Sequence, residues 1–322
     1  MKLYFAAAAV AALAFAAAGA ASANVTFSDP TTGTYSVGIG PDGELYDNTT
    51  GVGLRNPAGA DYIAPGDPRD SWGITSSVGS AFADYEDFGT GGITTPTVTT
   101  VGANTATTVS TTAAGITVSQ TFTFFSQNIV SVQETLTNTS GADLTGVIFR
   151  RDVDYDVSPT EFNENTVGPF GSDSQVLDAS FFGFENPNPA SGPFVDQCSL
   201  TLGCNETADL GAGVDIGVGN LGAGDSTTFA YFYGVNEPGQ TLLGLIDEAK
   251  TEGLAFTLGT QSSENGPFPN LGSGAAIFGV TELGVVAHSP TPEPATWAMM
   301  LIGFGGMGAA MRSRRKAQAA TA

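Results

Sequence analysis

Residues 115–125 alternate. Ile116, Val118, Phe122 and Phe124 share one face of an extended chain, interrupted only by Gln120, while Thr117, Ser119, Thr121 and Thr123 share the other. Period-two alternation of this kind predicts a strand with one buried face. Ile129–Asn138 continues after a Ser-Gln-Asn turn, and Leu144–Val157 after the Asn138–Asp143 turn. Three such runs with short connections predict an antiparallel meander. Ser226–Val235, Ala255–Gln261 and Ala275–Val286 read as further strands. Residues 24–92 are dense in Gly, Asp, Asn and Pro, which predicts short strands and long loops. Thr97–Thr112, mostly Thr, Val, Ala and Gly, is either a low-complexity linker or a pair of edge strands. The period changes once. Leu242, Leu243, Leu245, Ile246 and Ala249 recur at helical spacing, which predicts one amphipathic helix near 238–252, begun by Glu237-Pro238 and stopped by Gly253. The expectation is an all-β body, mainly an antiparallel β-sandwich, with that single helix.

The two ends have a different pattern. Lys2 precedes an apolar run, Leu3–Ala18, and Ala21-Ser22-Ala23 supplies small residues for cleavage. This order describes a secretory signal peptide over 1–23, with Ala21 and Ala23 forming the cleavage site before Asn24, handled by Sec export machinery. At the other end Pro292-Glu293-Pro294 is followed by an uncharged run, residues 295–311, and by Arg312, Arg314, Arg315 and Lys316. Seventeen apolar residues lie at the short end of the roughly 17–25 that span a bilayer. The basic cluster places 312–322 on the cytoplasmic side of a transmembrane helix. The chain thus divides into a signal helix, an exported body over 24–287, a stalk over 288–294, a transmembrane helix and a basic tail.

Pro292-Glu293-Pro294, then Thr296-Trp297-Ala298-Met299-Met300, Gly303-Phe304-Gly305 and the basic run resemble the PEP-CTERM sorting domain of Gram-negative bacteria. The resemblance implies that exosortase recognises Pro292, Glu293 and Pro294, with Trp297 and Arg312, Arg314 and Arg315 completing the signal. It implies export, transient anchoring in the inner membrane and transfer to the cell surface or extracellular space, often alongside exopolysaccharide. Leu136-Thr-Asn-Thr-Ser, Arg150-Arg-Asp-Val-Asp-Tyr-Asp and Leu221-Gly-Ala-Gly-Asp-Ser-Thr-Thr-Phe resemble a recurring secreted bacterial β-domain of unknown function. That likeness implies no activity.

Charge narrows the partners. All 32 acidic residues lie in 24–294 with five of the ten basic ones, Arg55, Arg69, Arg150, Arg151 and Lys250, a balance of −27. Such a body repels nucleic acid and anionic membranes and attracts divalent cations. Cys198 and Cys204 enclose five residues, the spacing of a local disulfide in an oxidising compartment. The only histidine, His288, sits in the stalk, which deprives triad and zinc chemistry of its imidazole.

The candidate chemistry is Asp152, Asp154 and Asp156. Residues two apart on a strand share a face at about 6.6–6.8 Å. Arg150 lies on that face; Phe149, Arg151, Val153, Tyr155 and Val157 form the other. The favoured reading is a solvated acidic face with Arg150 paired to one carboxylate. A Ca²⁺ site is the alternative, and Ca²⁺ the one cofactor the pattern admits. It would need Asp156 at the strand end and Glu161, Asn163 or Glu164 folding back. The spacing is not an EF-hand. A carbohydrate-active enzyme would need a carboxylate pair among Asp154, Asp156, Glu161 and Glu164, with Trp72 or Phe181, Phe182 and Phe184 stacking on sugar. The first expectation is instead non-enzymatic: a surface, matrix or adhesion protein associated with exopolysaccharide. A Ca²⁺-dependent carbohydrate-binding module is the other alternative.

Overall fold

The computed structural model describes residues 24–100, 104–251, 253–264 and 274–281. The signal peptide, the stalk, the transmembrane segment and the basic tail fall outside the described residues, as do Ala21, Ala23, Pro292, Glu293, Pro294, Trp297, Arg312, Arg314 and Arg315.

Eighteen strands and one α-helix are described. The early segment carries β1 (Val25–Ser28), β2 (Ser36–Ile39), β3 (Leu54–Arg55), β4 (Asp70–Ser76), β5 (Gly79–Asp84) and β6 (Gly89–Gly91). Then come β7 (Ile93–Thr100), β8 (Thr105–Thr112), β9 (Ile116–Phe124), β10 (Ile129–Asn138) and β11 (Leu144–Asp154). The last part holds β12 (Glu164–Gly171), β13 (Val176–Ser180), β14 (Cys204–Ala208), β15 (Gly211–Leu221), β16 (Ser226–Val235), α1 (Leu242–Thr251), β17 (Phe256–Ser262) and β18 (Ala275–Val280). Sheet order is β14-β12-β17-β18-β16-β10-β9-β8-β7 in the largest sheet, β13-β15-β11-β4-β5-β6 in the second, and β1-β2-β3 in a small third. The named pairings are antiparallel.

The two larger sheets pack face to face, as an antiparallel sandwich requires. Phe149 of β11 contacts Phe229 and Tyr231 of β16 at ring-centroid distances of 5.5 and 6.0 Å. Trp72 is fully buried beside Phe149, 6.3 Å away. Its indole N–H donates to the Asp42 carbonyl at 2.7 Å, so it is a core residue with no face open to a sugar. In β9 the residues read as apolar, with Gln120, are the buried ones. Thr97–Thr112 resolves in favour of edge strands, with β7 the outermost strand of the large sheet.

The meander is corrected. β9 and β10 pair, but β11 leaves them for the second sheet, between β15 and β4, and β16 takes the free edge of β10. Asn138 fixes this crossing: its side-chain amide donates to the carbonyls of Ala142, Leu221 and Gly222 at 2.8–2.9 Å, tying the β10–β11 turn to the β15–β16 turn. The helix starts later than Glu237-Pro238. Thr241 accepts from the Gly244 amide at 3.1 Å, a cap on Leu242. Leu242, Leu245, Ile246 and Ala249 are buried over β16, β17 and β18. A Cβ on Gly259 would come within 2.8 Å of Leu242, so the helix needs glycine beneath it.

Candidate metal centre

The register of β11 with β15 builds the site. Arg150 stands opposite Asp215, Asp152 opposite Gly213 and Asp154 opposite Gly211. Continued two residues past the strand end, that register sets Asp156 opposite Asp209. The row therefore begins with a complementary pair and ends with two like charges. Backbone contact is close here: a Cβ on Gly211 would lie 1.9 Å from the Val153 carbonyl and 2.9 Å from Asp154 Cα.

The expected Arg150 pairing is overturned. Arg150 donates to Asp215 from Nε at 2.7 Å and from a terminal nitrogen at 2.6 Å. It also donates to the carbonyls of Asn186 and Gly192 at 2.8 Å and lies over the Phe194 ring. None of these bonds reaches Asp152, Asp154 or Asp156. The solvated face is overturned too: Asp152, Asp154 and Asp156 are 0, 2 and 1 % exposed.

The three aspartates separate. Asp152 Oδ2 accepts from the Glu185 amide at 3.0 Å, and Arg69 and Arg150 act on it. Asp154, Asp156 and Asp209 instead bring carboxylate oxygens within 4.8 Å of one another. Glu164 is returned toward them, though it is not one of the three whose oxygens meet. The Thr160 amide donates to Val157 O at 3.1 Å and the Asn163 amide to Thr160 O at 2.9 Å, two successive turns that return the chain. Glu164 Oε1 then accepts from the Val157 amide at 3.2 Å. Asn163 turns away to Ser263, and Glu161 stays partly exposed.

The cluster lacks partners. Both oxygens of Asp156, Oδ1 of Asp154, Oδ1 of Asp209 and Oε2 of Glu164 are buried without a hydrogen-bond partner. Among the described residues no ion pair includes any of the four. Burial pushes the Asp156 carboxyl up to about 8, helped by the charges of Glu164, Asp209, Glu161 and Asp61. Burial also lifts Glu164 to about 8, although its own amide and those of Val157 and Leu210 oppose the rise. Asp154 is held well above the usual carboxylate range by burial and then by Asp156, Asp209 and Glu164. Asp209, half-buried at the mouth, is raised by desolvation. Asp209 was missed in the sequence because it is 53 positions from Asp156 and meets it only through the β11–β15 register.

Elsewhere, Cys198 and Cys204 form a disulfide with Cα atoms 4.9 Å apart. Beside it runs a groove of about 680 Å³ holding Asp178 and Asp215. Both carboxylates are engaged, Asp215 by Arg150 and Asp178 by the Phe194 amide and the Gln197 side chain.

The C-terminal pattern has an independent match. Residues 290–316 are a PEP-CTERM protein-sorting motif. The motif implies a secreted protein, transiently anchored at the membrane, with exosortase as its processing partner. It covers under a tenth of the chain, and the β-rich body lies outside it. No curated protein matches the sequence.

Proposed function

We propose that this chain is a non-enzymatic cell-surface or extracellular-matrix protein, released from a PEP-CTERM anchor and retained with exopolysaccharide. The observation that carries the reading is the sorting motif at residues 290–316. The burial pattern supports the non-enzymatic part. Glycoside chemistry needs two accessible carboxyl groups in a cleft, whereas Asp154, Asp156 and Glu164 are at most 2 % exposed. The groove by the disulfide has carboxylates already bound to protein donors. An acidic body with five cations suits a soluble, non-adhering surface layer.

The test is processing in a Gram-negative host that carries exosortase. The wild-type chain, tagged after residue 322, should lose its tag and move from the membrane to the surface or medium. Replacing Pro292, Glu293 and Pro294 by Ala should hold the tagged chain in the membrane. Processing that is indifferent to that substitution overturns the reading.

A further inference from the structure

The four carboxylates mark a place where the chain changes sheets twice. Asp154 ends β11 in the second sheet and Glu164 begins β12 in the large one, with Asp156 between them. Asp209 lies in the return connection, between β14 in the large sheet and β15 in the second. The two connections also touch through Thr166, whose hydroxyl donates to Gly211 O at 3.3 Å. Carboxylates at a sheet crossing would ordinarily turn to solvent or take an arginine. Here Asp154, Asp156 and Glu164 are buried, oxygens of Asp154, Asp156 and Asp209 converge, and among the described residues no ion pair includes any of the four.

We propose that Asp154, Asp156, Asp209 and Glu164 bind one Ca²⁺ ion that ties the two sheet crossings together. The cluster of three is one observation. Asp156 is a second: it is 1 % exposed and neither of its oxygens has a hydrogen-bond partner. Glu164, fully buried at the start of β12, keeps one oxygen without a protein partner, and its charge acts on Asp156. Oxygen-only ligands suit a hard cation. Ca²⁺–oxygen distances of about 2.3–2.6 Å allow ligand oxygens up to about 4.6–5.2 Å apart across the ion, and the three aspartates meet within 4.8 Å. Mg²⁺, at about 2.0–2.1 Å with reluctant dehydration, suits such an all-protein cage less well. The half-buried Asp209 gives an entry path from solvent. The proposal draws on the export reading only for the supply of Ca²⁺; binding is measured on the purified chain, so either can fail without the other.

The experiment is Ca²⁺ titration of the full-length chain in detergent by calorimetry, with thermal unfolding in Ca²⁺, Mg²⁺ or EDTA. One saturable site and a rise of about 5 °C or more at hundredfold-saturating Ca²⁺ are expected. Mg²⁺ should give less than half that rise. Glu164→Gln with Asp209→Asn should abolish the Ca²⁺-dependent rise, and Asp247→Asn on the exposed face of α1 should keep it. Carboxamides relieve like-charge repulsion, so the double variant should fold at least as stably in EDTA as the parent. No saturable binding, an equal rise with Mg²⁺, or a rise that survives the double substitution would each overturn the assignment.

Discussion

Two buried charge clusters sit on opposite faces of the same strand. On the inner face of β11, Arg151 is fully enclosed between the sheets. It meets Asp70 with both Nε and a terminal nitrogen, and it also reaches the Tyr233 hydroxyl, Gln120 and the Gly43 carbonyl. At and just past the strand end, Asp154 and Asp156 meet Asp209, with Glu164 near Asp156, and among the described residues no ion pair includes any of the four. In the first cluster Arg151 and Asp70 complete each other, each with further hydrogen bonds to the protein. The second is complete only with protons or an added cation. Burial alone therefore does not distinguish a structural ion pair from a ligand site; the inventory of partners does.

The comparison breaks most directly at Arg151. Arg151→Met should strand Asp70 as an uncompensated buried charge and cost about 3–5 kcal/mol, read by urea unfolding. A loss below 1 kcal/mol would mean that the inner cluster is no more self-sufficient than the outer one.

Proton linkage tests the other side. Asp156 and Glu164 hold values near 8 in the fold against ordinary values of 3.8 and 4.5. Between those limits the folded chain keeps protons that the unfolded chain has released. In EDTA the contribution is therefore full below about pH 4, falls as pH rises and levels off above about 8. With Ca²⁺ the fall should flatten, so the difference in melting temperature between the two conditions widens from pH 5 to pH 8. A difference that narrows would contradict the proton-or-cation account.

A smaller effect is expected from Asp156→Asn. It removes a buried acid without removing a hydrogen bond, and in EDTA at pH 8 it should stabilise the chain by at least about 1 kcal/mol, less than the worth of a single pKa unit of about 1.4. Chemical unfolding at pH 8 reads it, and destabilisation there would show that Asp156 has a protein partner after all. The smallest is Lys250→Ala. Lys250 and Asp247 form an exposed pair at 3.5 Å, and its loss should change stability by under about 0.5 kcal/mol. A larger change would mean that pairing matters here irrespective of burial.

Much of the architecture was readable because alternation is local. The β9 face, the β10 and β16 runs and the α1 stripe each follow from residues a few positions apart. The route of β11 was not readable. Its neighbours β15 and β4 are distant in sequence, and the Asn138 side chain that diverts it looks like an ordinary turn residue. For the same reason Asp154 and Asp156 were nameable from their spacing, Glu164 only as a residue that would have to fold back, and Asp209 not at all.

The sequence by itself determined the sorting motif, the β-rich character, the single helix and the scarcity of cations, since each is a matter of order or composition along the chain. Only the tertiary structure decided which acids are neutralised. Arg150 is adjacent to the acidic row in sequence, yet the β11–β15 register gives it to Asp215 and leaves Asp156 facing Asp209. Electrostatic energy depends on distance in space and on exclusion of water, and neither is fixed until the strands have paired.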